Sequence, residues 1–233
     1  MFAIIKRLLP RHSEAIFTLS KSERNTFFKE LIDSSALKSE FYFLLIVSIF
    51  ITMAGLLKNS LTLIIGGMLV APLLSPVLAI SLAIVVKNGK VAWRAIRIFF
   101  ITTIVALIAS MLIGSVFSFK TGEMEMMQKI GANGFDIFIA ALAGAAASLT
   151  WAKKNLINNL AGVAITVTLL PPLVMAGLGL AALDYYIFID AIKTYLLNVG
   201  GIILGSMIIF IILNFQESRK IVIADIAEAD KED

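Results

Sequence analysis

Hydrophobic positions in this chain fall into long unbroken runs, without the alternation of half-buried strands or the one-sided stripe of soluble helices. Stretches free of Asp, Glu, Lys and Arg span 41–57, 59–86, 98–119, 137–152, 155–183 and 194–216. A helix needs roughly 20 apolar residues to cross the hydrocarbon core. The pattern therefore predicts an all-α membrane protein with six transmembrane helices. The first and fourth runs are the shortest, so a re-entrant course stays open for each. Helices are preferred to a transmembrane barrel because the runs are continuously apolar, whereas barrel strands alternate lipid-facing and lumen-facing residues.

Polar positions gather at the ends. Residues 1–40 and 214–233 hold 21 of the 36 charged side chains, which leaves 15 for the rest of the chain. The expected organisation is a segment over 1–40, three helices over 41–120, a connection over 121–134, three more helices over 135–216 and a tail over 217–233. Within the first segment, Ser20 and Glu23 have capping-box spacing, and Phe27, Phe28, Leu31 and Ile32 line one face of a short helix. That helix is expected to pack on the membrane domain or lie at its surface. Residues 121–134, with Met124, Met127 and Ile130 at helical spacing, look like a smaller version. The acidic tail from Ala224 to Asp233 reads as solvated.

Lys and Arg resist translocation when close to a membrane segment, so their distribution predicts orientation. With both termini inside, the inner side holds sixteen Lys and Arg, and the outer side holds Lys58, Lys120, Lys129 and Lys193. The expectation is a multi-pass protein of the plasma (inner) membrane with both termini cytoplasmic. No cleavable signal peptide is visible, because Lys6 and Arg7 follow the first short apolar run. The net charge of +4 is read as this bias and not as nucleic-acid binding. Hydrophobic residues at 59% of the chain exceed what one soluble core can hide. No cysteine is present, which removes disulfides, thiol catalysis and thiolate metal sites.

Laying the second half on the first at an offset of 99 pairs Asn59 with Asn158, Leu61 with Leu160 and Pro72 with Pro171. Three helices per unit is an odd number, so two such units enter the membrane from opposite sides. The expectation is two inverted three-helix repeats with proline-broken second and fifth helices. Pro72 and Pro76 deprive the carbonyl of Met68 of its donor and disturb the turn between them. Pro172 is expected to push Pro171 out of helical geometry and to strain the carbonyls of Val167 and Thr168. Both breaks are placed near the midplane, where irregular backbone survives only against protein or a wet cavity. Gly66, Gly67, Gly162 and Gly177 would let backbones approach, with Ser75, Thr166, Thr168 and Asn158 supplying hydroxyl or amide groups. The candidate solute site is thus Gly66, Gly67, Met68, Pro72, Ser75, Pro76, Asn158, Gly162, Thr166, Val167, Thr168, Pro171 and Pro172. Proline kinks in membrane helices are also common without any ligand.

Two blocks carry a resemblance to a known family. The first is Asn59-Ser60, Ile65-Gly66-Gly67-Met68-Leu69 and Pro72-Leu73-Leu74-Ser75-Pro76; the second is Ala161-Gly162-Val163-Ala164, Leu169-Leu170-Pro171-Pro172 and Gly177. With the acidic, Met-containing connection at 121–134 and the Ala- and Gly-rich fourth helix, the chain resembles the uncharacterised hydrophobic proteins grouped as domain of unknown function 389. The likeness covers about residues 37–215, with Gly67 standing where relatives carry alanine. It implies the membrane fold and brings no substrate.

Catalysis has no constellation to rest on. The single histidine, His12, lies beside Arg11 outside the apolar runs, and Asp136, Asp184 and Asp190 sit near segment ends. No Asp, Glu, His, Lys or Arg lies within the runs, whereas an intramembrane enzyme usually needs its acid, nucleophile or ligands there. No enzyme, cofactor or metal is expected. Two functions remain: a channel or secondary transporter for a small solute, either an anion or a polar neutral molecule, or a structural or sensory membrane protein. The small-residue stripes Ala106, Ser110, Gly114 and Gly201, Gly205 permit close contacts within a subunit or in a homo-oligomer. Partners expected are the lipid bilayer, a second copy and an unidentified solute or ion.

Overall fold

The computed structural model describes residues 19–34, 38–116, 134–153 and 169–218. Among these described residues eight α-helices follow in order: α1 Lys21–Ser34, α2 Ser39–Leu57, α3 Leu61–Val70, α4 Leu74–Val86, α5 Gly89–Val116, α6 Gly134–Ala152, α7 Leu170–Ala181 and α8 Tyr185–Ile212. A 3₁₀ turn over Phe215–Ser218 follows α8, and no strand occurs among the described residues. Helices α2, α5, α6 and α8 are long and apolar enough to cross a membrane. Helices α3 and α4 together make a fifth candidate, bent by 54° at their break. The chain is a multi-pass membrane protein on this count. The connection at 121–133, the segment 154–168 with five of the candidate site residues, His12 and the acidic tail lie outside the described residues.

Two helix starts lie nine residues ahead of the charge-free runs. Helix α5 starts at Gly89 rather than 98 and includes Lys90, Arg94 and Arg97; α8 starts at Tyr185 rather than 194 and includes Asp190 and Lys193. Hydropathy marks only the part of a helix in hydrocarbon. At about 1.5 Å per residue, a 28-residue helix is ~42 Å long and overshoots a ~30 Å core at its ends. What starts these helices is a cap. The Asn88 side chain accepts from the N–H groups of Lys90 and Val91 at 3.1 and 3.3 Å, and that of Asp184 accepts from Tyr186 and Ile187, both at 3.1 Å.

The residue before each cap is left-handed, Lys87 at φ 55° and Leu183 at φ 56°. Each lies at the end of the preceding helix, where the Asn88 N–H reaches the carbonyl of Ala83 at 3.2 Å and the Asp184 N–H that of Gly179 at 2.9 Å. These bonds occupy carbonyls that a helix end otherwise leaves open. The two turns lie 96 positions apart. Helix lengths recur at nearly the same spacing: 19 and 19 residues for α2 and α6, 13 and 12 for α4 and α7, 28 and 28 for α5 and α8. This spacing replaces the offset of 99. Its partner for Pro172 is Pro76, within Leu73-Leu74-Ser75-Pro76 and Leu169-Leu170-Pro171-Pro172.

Helices α4 and α7 form the centre. Helix α4 packs on α5 and α8, and α7 packs on α8 and α5, with α2 also against α7. The long helices meet where Phe99 stacks on Tyr195, with centroids 6.1 Å apart and planes 1° from parallel. The Tyr195 hydroxyl is also 2.8 Å from that of Thr103. Both small-residue stripes face neighbours in the same subunit. A Cβ at Gly201 would lie 2.7 Å from the Ala140 Cβ, one at Gly205 would lie 2.6 Å from the Ala141 carbonyl carbon, and one at Gly177 would run into Ser110. The stripes are therefore used inside the subunit and give no argument for an oligomer.

Helix α1 has the expected capping box: the Ser20 N–H donates to Glu23 Oε2 at 2.7 Å, and the Glu23 N–H to Ser20 Oγ at 3.1 Å. The bond from the Ser20 backbone holds the Glu23 carboxyl below its ordinary pKa. Phe27, Phe28 and Leu31 are buried against the membrane domain. Phe27 packs on Phe210 and Phe215 at 5.6 and 5.1 Å. Arg24 reaches past them, its Nη1 donating to the carbonyl of Asn214 at 2.7 Å, where cations are favoured beside the end of α8.

Candidate functional site

The first break lies between α3 and α4. Its last α3 bond runs from the Ala71 N–H to the Gly67 carbonyl at 3.2 Å, and Ala71 is extended at φ −69° and ψ 127°. Residues before proline avoid the helical region, so Pro72 sets this conformation. Pro72 also has no N–H for the Met68 carbonyl, as the sequence predicts. The chain then turns within three residues and restarts at Leu74, with Pro76 in the first turn of α4. Met68, Ser75 and Pro76 are buried, and Pro72 is partly exposed. The Ser75 hydroxyl donates to the Pro72 carbonyl at 3.2 Å and stabilises the turn.

Gly66 and Gly67 divide sharply. A Cβ at Gly66 would meet only Ile51, at 3.9 Å, while one at Gly67 would run into Thr52 Oγ1 and come within 2.9 Å of the Ser48 carbonyl oxygen. Gly67 is what allows α3 to lie against α2. Thr52 was not among the residues singled out from sequence. It is fully buried, and its hydroxyl has no hydrogen-bond partner among the described residues. Ser48, one turn earlier, bonds the carbonyl of Leu45 at 2.7 Å. A signal was available in the spacing, since Ser48 and Thr52 stand four apart on one face of the first apolar run.

The second break differs from expectation. Pro171 and Pro172 both lie in the first turn of α7, after Leu169 at φ −95° and ψ −44°. Pro171 was expected to leave helical geometry because Pro172 follows it. It stays helical because a first turn tolerates missing donors, and because α7 is held by α2, α3, α5 and α8. Residues 170–179 are all buried. Helix α7 thus begins at Leu170, and Asn158, Gly162, Thr166, Val167 and Thr168 lie outside the described residues.

Both buried starts lack a side-chain cap. A helix start normally leaves four N–H groups unpaired. Proline deletes two of them in α7 and one in α4, which lowers the cost of burying these ends. It also reduces the donors available to an anion. Helix α7 packs on both α2 and α3, which brings it beside the elements that carry Thr52, Gly67 and Met68. Among the described residues there is no group of three His, Asp or Glu fit to hold a metal ion.

The family described as Domain of unknown function (DUF389) matches residues 68–204. An uncharacterised protein of Methanocaldococcus jannaschii is 33% identical over 178 residues, which is 76% of this chain and 55% of that protein. The chain thus spans about half the length of this relative. No solved structure matches.

Proposed function

Because the chain belongs to the family described as domain of unknown function 389, whose name assigns no activity, we propose from the geometry that it is a membrane channel or secondary transporter for a small solute. The observation that carries this reading is the pair α4 and α7. Both are central, begin at prolines and are buried nearly all round. A helix of 12 or 13 residues is only ~18–20 Å long and cannot cross a ~30 Å core alone. One end of each then lies at membrane depth, where backbone is tolerated against protein or a wet cavity. Discontinuous helices of this kind form the solute sites of many transporters.

The same reading takes the protein as two inverted three-span units in register 96. Pairing of α4 with α8 is answered by pairing of α7 with α5, as exchange of two equivalent units requires. Phe99 and Tyr195, 96 apart, then face each other at the axis. The positive bias of Lys and Arg places both termini in the cytoplasm. Proline at the helix starts leaves few donors, which favours a polar neutral solute over an anion. Chemistry is not part of the role in this reading, since no Asp, Glu, His or Cys lies in the apolar runs to activate a hydroxyl or hold a metal.

Flux of small polar solutes, anions and cations into liposomes holding the purified protein tests this. Pro72→Ala, which gives the Met68 carbonyl a donor and lets α3 run on, is expected to reduce flux roughly tenfold, because continuous helix withdraws the exposed backbone. Equal flux from wild type and the variant would overturn the site, and strict cation selectivity would overturn the solute class.

A further inference from the structure

We infer that the head of α5 is a binding surface for one anionic phospholipid. Lys90, Trp93 and Arg97 stand at i, i+3 and i+7 on one face and all three are exposed, Trp93 to 70%. The same face continues into the apolar part of the helix through Phe100, Ile104 and Leu112, which are 57%, 51% and 58% exposed. Two cations and an indole followed by an unbroken apolar stripe match a phosphate headgroup followed by acyl chains. Depth agrees with this. Lys90 to Arg97 occupy the first ~12 Å of a helix that overshoots the hydrocarbon core, so their heads lie at phosphate level and their stems along the chains. Lys87, also exposed, adds a third cation at the turn before the helix.

The matching face of α8 lacks this chemistry. At a spacing of 96, Lys87, Lys90 and Trp93 correspond to Leu183, Tyr186 and Ile189. Arg97 corresponds to Lys193, which is paired with Asp190 at 3.5 Å. The two heads share cap geometry and helix length, so the cationic surface is a property of α5's side chains and not of the turn.

Native mass spectrometry of the full chain in detergent, with added phosphatidylglycerol or phosphatidylcholine, reads the preference directly. A cation at the membrane surface is worth about fivefold in binding an anionic lipid. Wild type should therefore prefer phosphatidylglycerol, and Lys90→Gln with Arg97→Gln should cut that preference roughly twenty-fivefold. The exchange of Lys90→Arg with Arg97→Lys should keep it, as should Lys193→Gln on α8. The inference fails if wild type shows no preference, if the double glutamine variant retains it, or if Lys193→Gln loses it equally. Displacement of the lipid by millimolar inorganic phosphate would mean a free-anion site. Loss of a dimer, rather than of lipid, in the glutamine variant would mean that this face meets a second copy.

Discussion

The α6–α8 contact and the α2–α3 contact are both made by glycine, yet they differ in what the glycine touches. Gly201 and Gly205 lie against the backbone of α6, and Gly144 answers from the other side against Ile202. The Ser206 hydroxyl adds bonds to the carbonyls of Ile202 and Gly144 at 2.5 and 3.3 Å. In the α2–α3 contact, Gly67 faces a threonine hydroxyl that has no partner among the described residues, while Gly55 faces Ile64. Both contacts bring backbone close to backbone, a Cβ at Gly67 coming within 2.9 Å of the Ser48 carbonyl oxygen and one at Gly55 within 2.7 Å of the Ile64 nitrogen, but only the second also meets that unpartnered hydroxyl. The first contact lies along the 28-residue α8, and the second lies beside the break.

Substitution can break this contrast. Gly205→Leu should cost about 3 kcal/mol or more, because overpacking against backbone has no side chain to displace. Gly200→Ala is the internal control, since nothing lies within 4 Å of its added Cβ. It should be neutral or slightly stabilising through helix propensity. Thermal unfolding in mild detergent measures both, and equal midpoints for the two variants would show that α6 and α8 do not approach as described.

A smaller loss, about 1–2 kcal/mol, is expected for Gly67→Ala. Adding Thr52→Ala should recover part of it, since the double variant removes the hydroxyl that the new Cβ meets. Thr52→Val alone should leave stability unchanged, because an unpartnered buried hydroxyl contributes little to folding. Absence of any recovery in the double variant would mean that the backbone of α2, at 2.9 Å, sets this contact as firmly as that of α6 sets the other.

The smallest effect concerns what joins the two long helices. Tyr195→Phe keeps the stack on Phe99 and removes the bond to Thr103, and hydrogen bonds between membrane helices average about 0.6 kcal/mol. A loss near that value in the same unfolding assay fits a crossing held mainly by ring packing. A loss several times larger would make the hydroxyl pair the principal link between α5 and α8.

The apolar runs by themselves determined the class of protein, the helical fold and the existence of the first break, because lipid leaves the backbone few alternatives and proline has no N–H. Capping residues were equally legible: the box at Ser20 and Glu23 stands as spaced, since it depends on neighbours three apart. The family was legible too, from the glycine and proline blocks. Helix starts at Asn88 and Asp184 were not read, because hydropathy senses hydrocarbon and not hydrogen bonding, and charged residues continue a helix into the headgroups. Only the tertiary structure decided the spacing of 96, because the left-handed residues that fix it, Lys87 and Leu183, share no signature in a line of sequence. It also decided which glycine is indispensable. Gly66 and Gly67 are adjacent and chemically identical, and only the position of α2 gives one of them open space and the other Thr52.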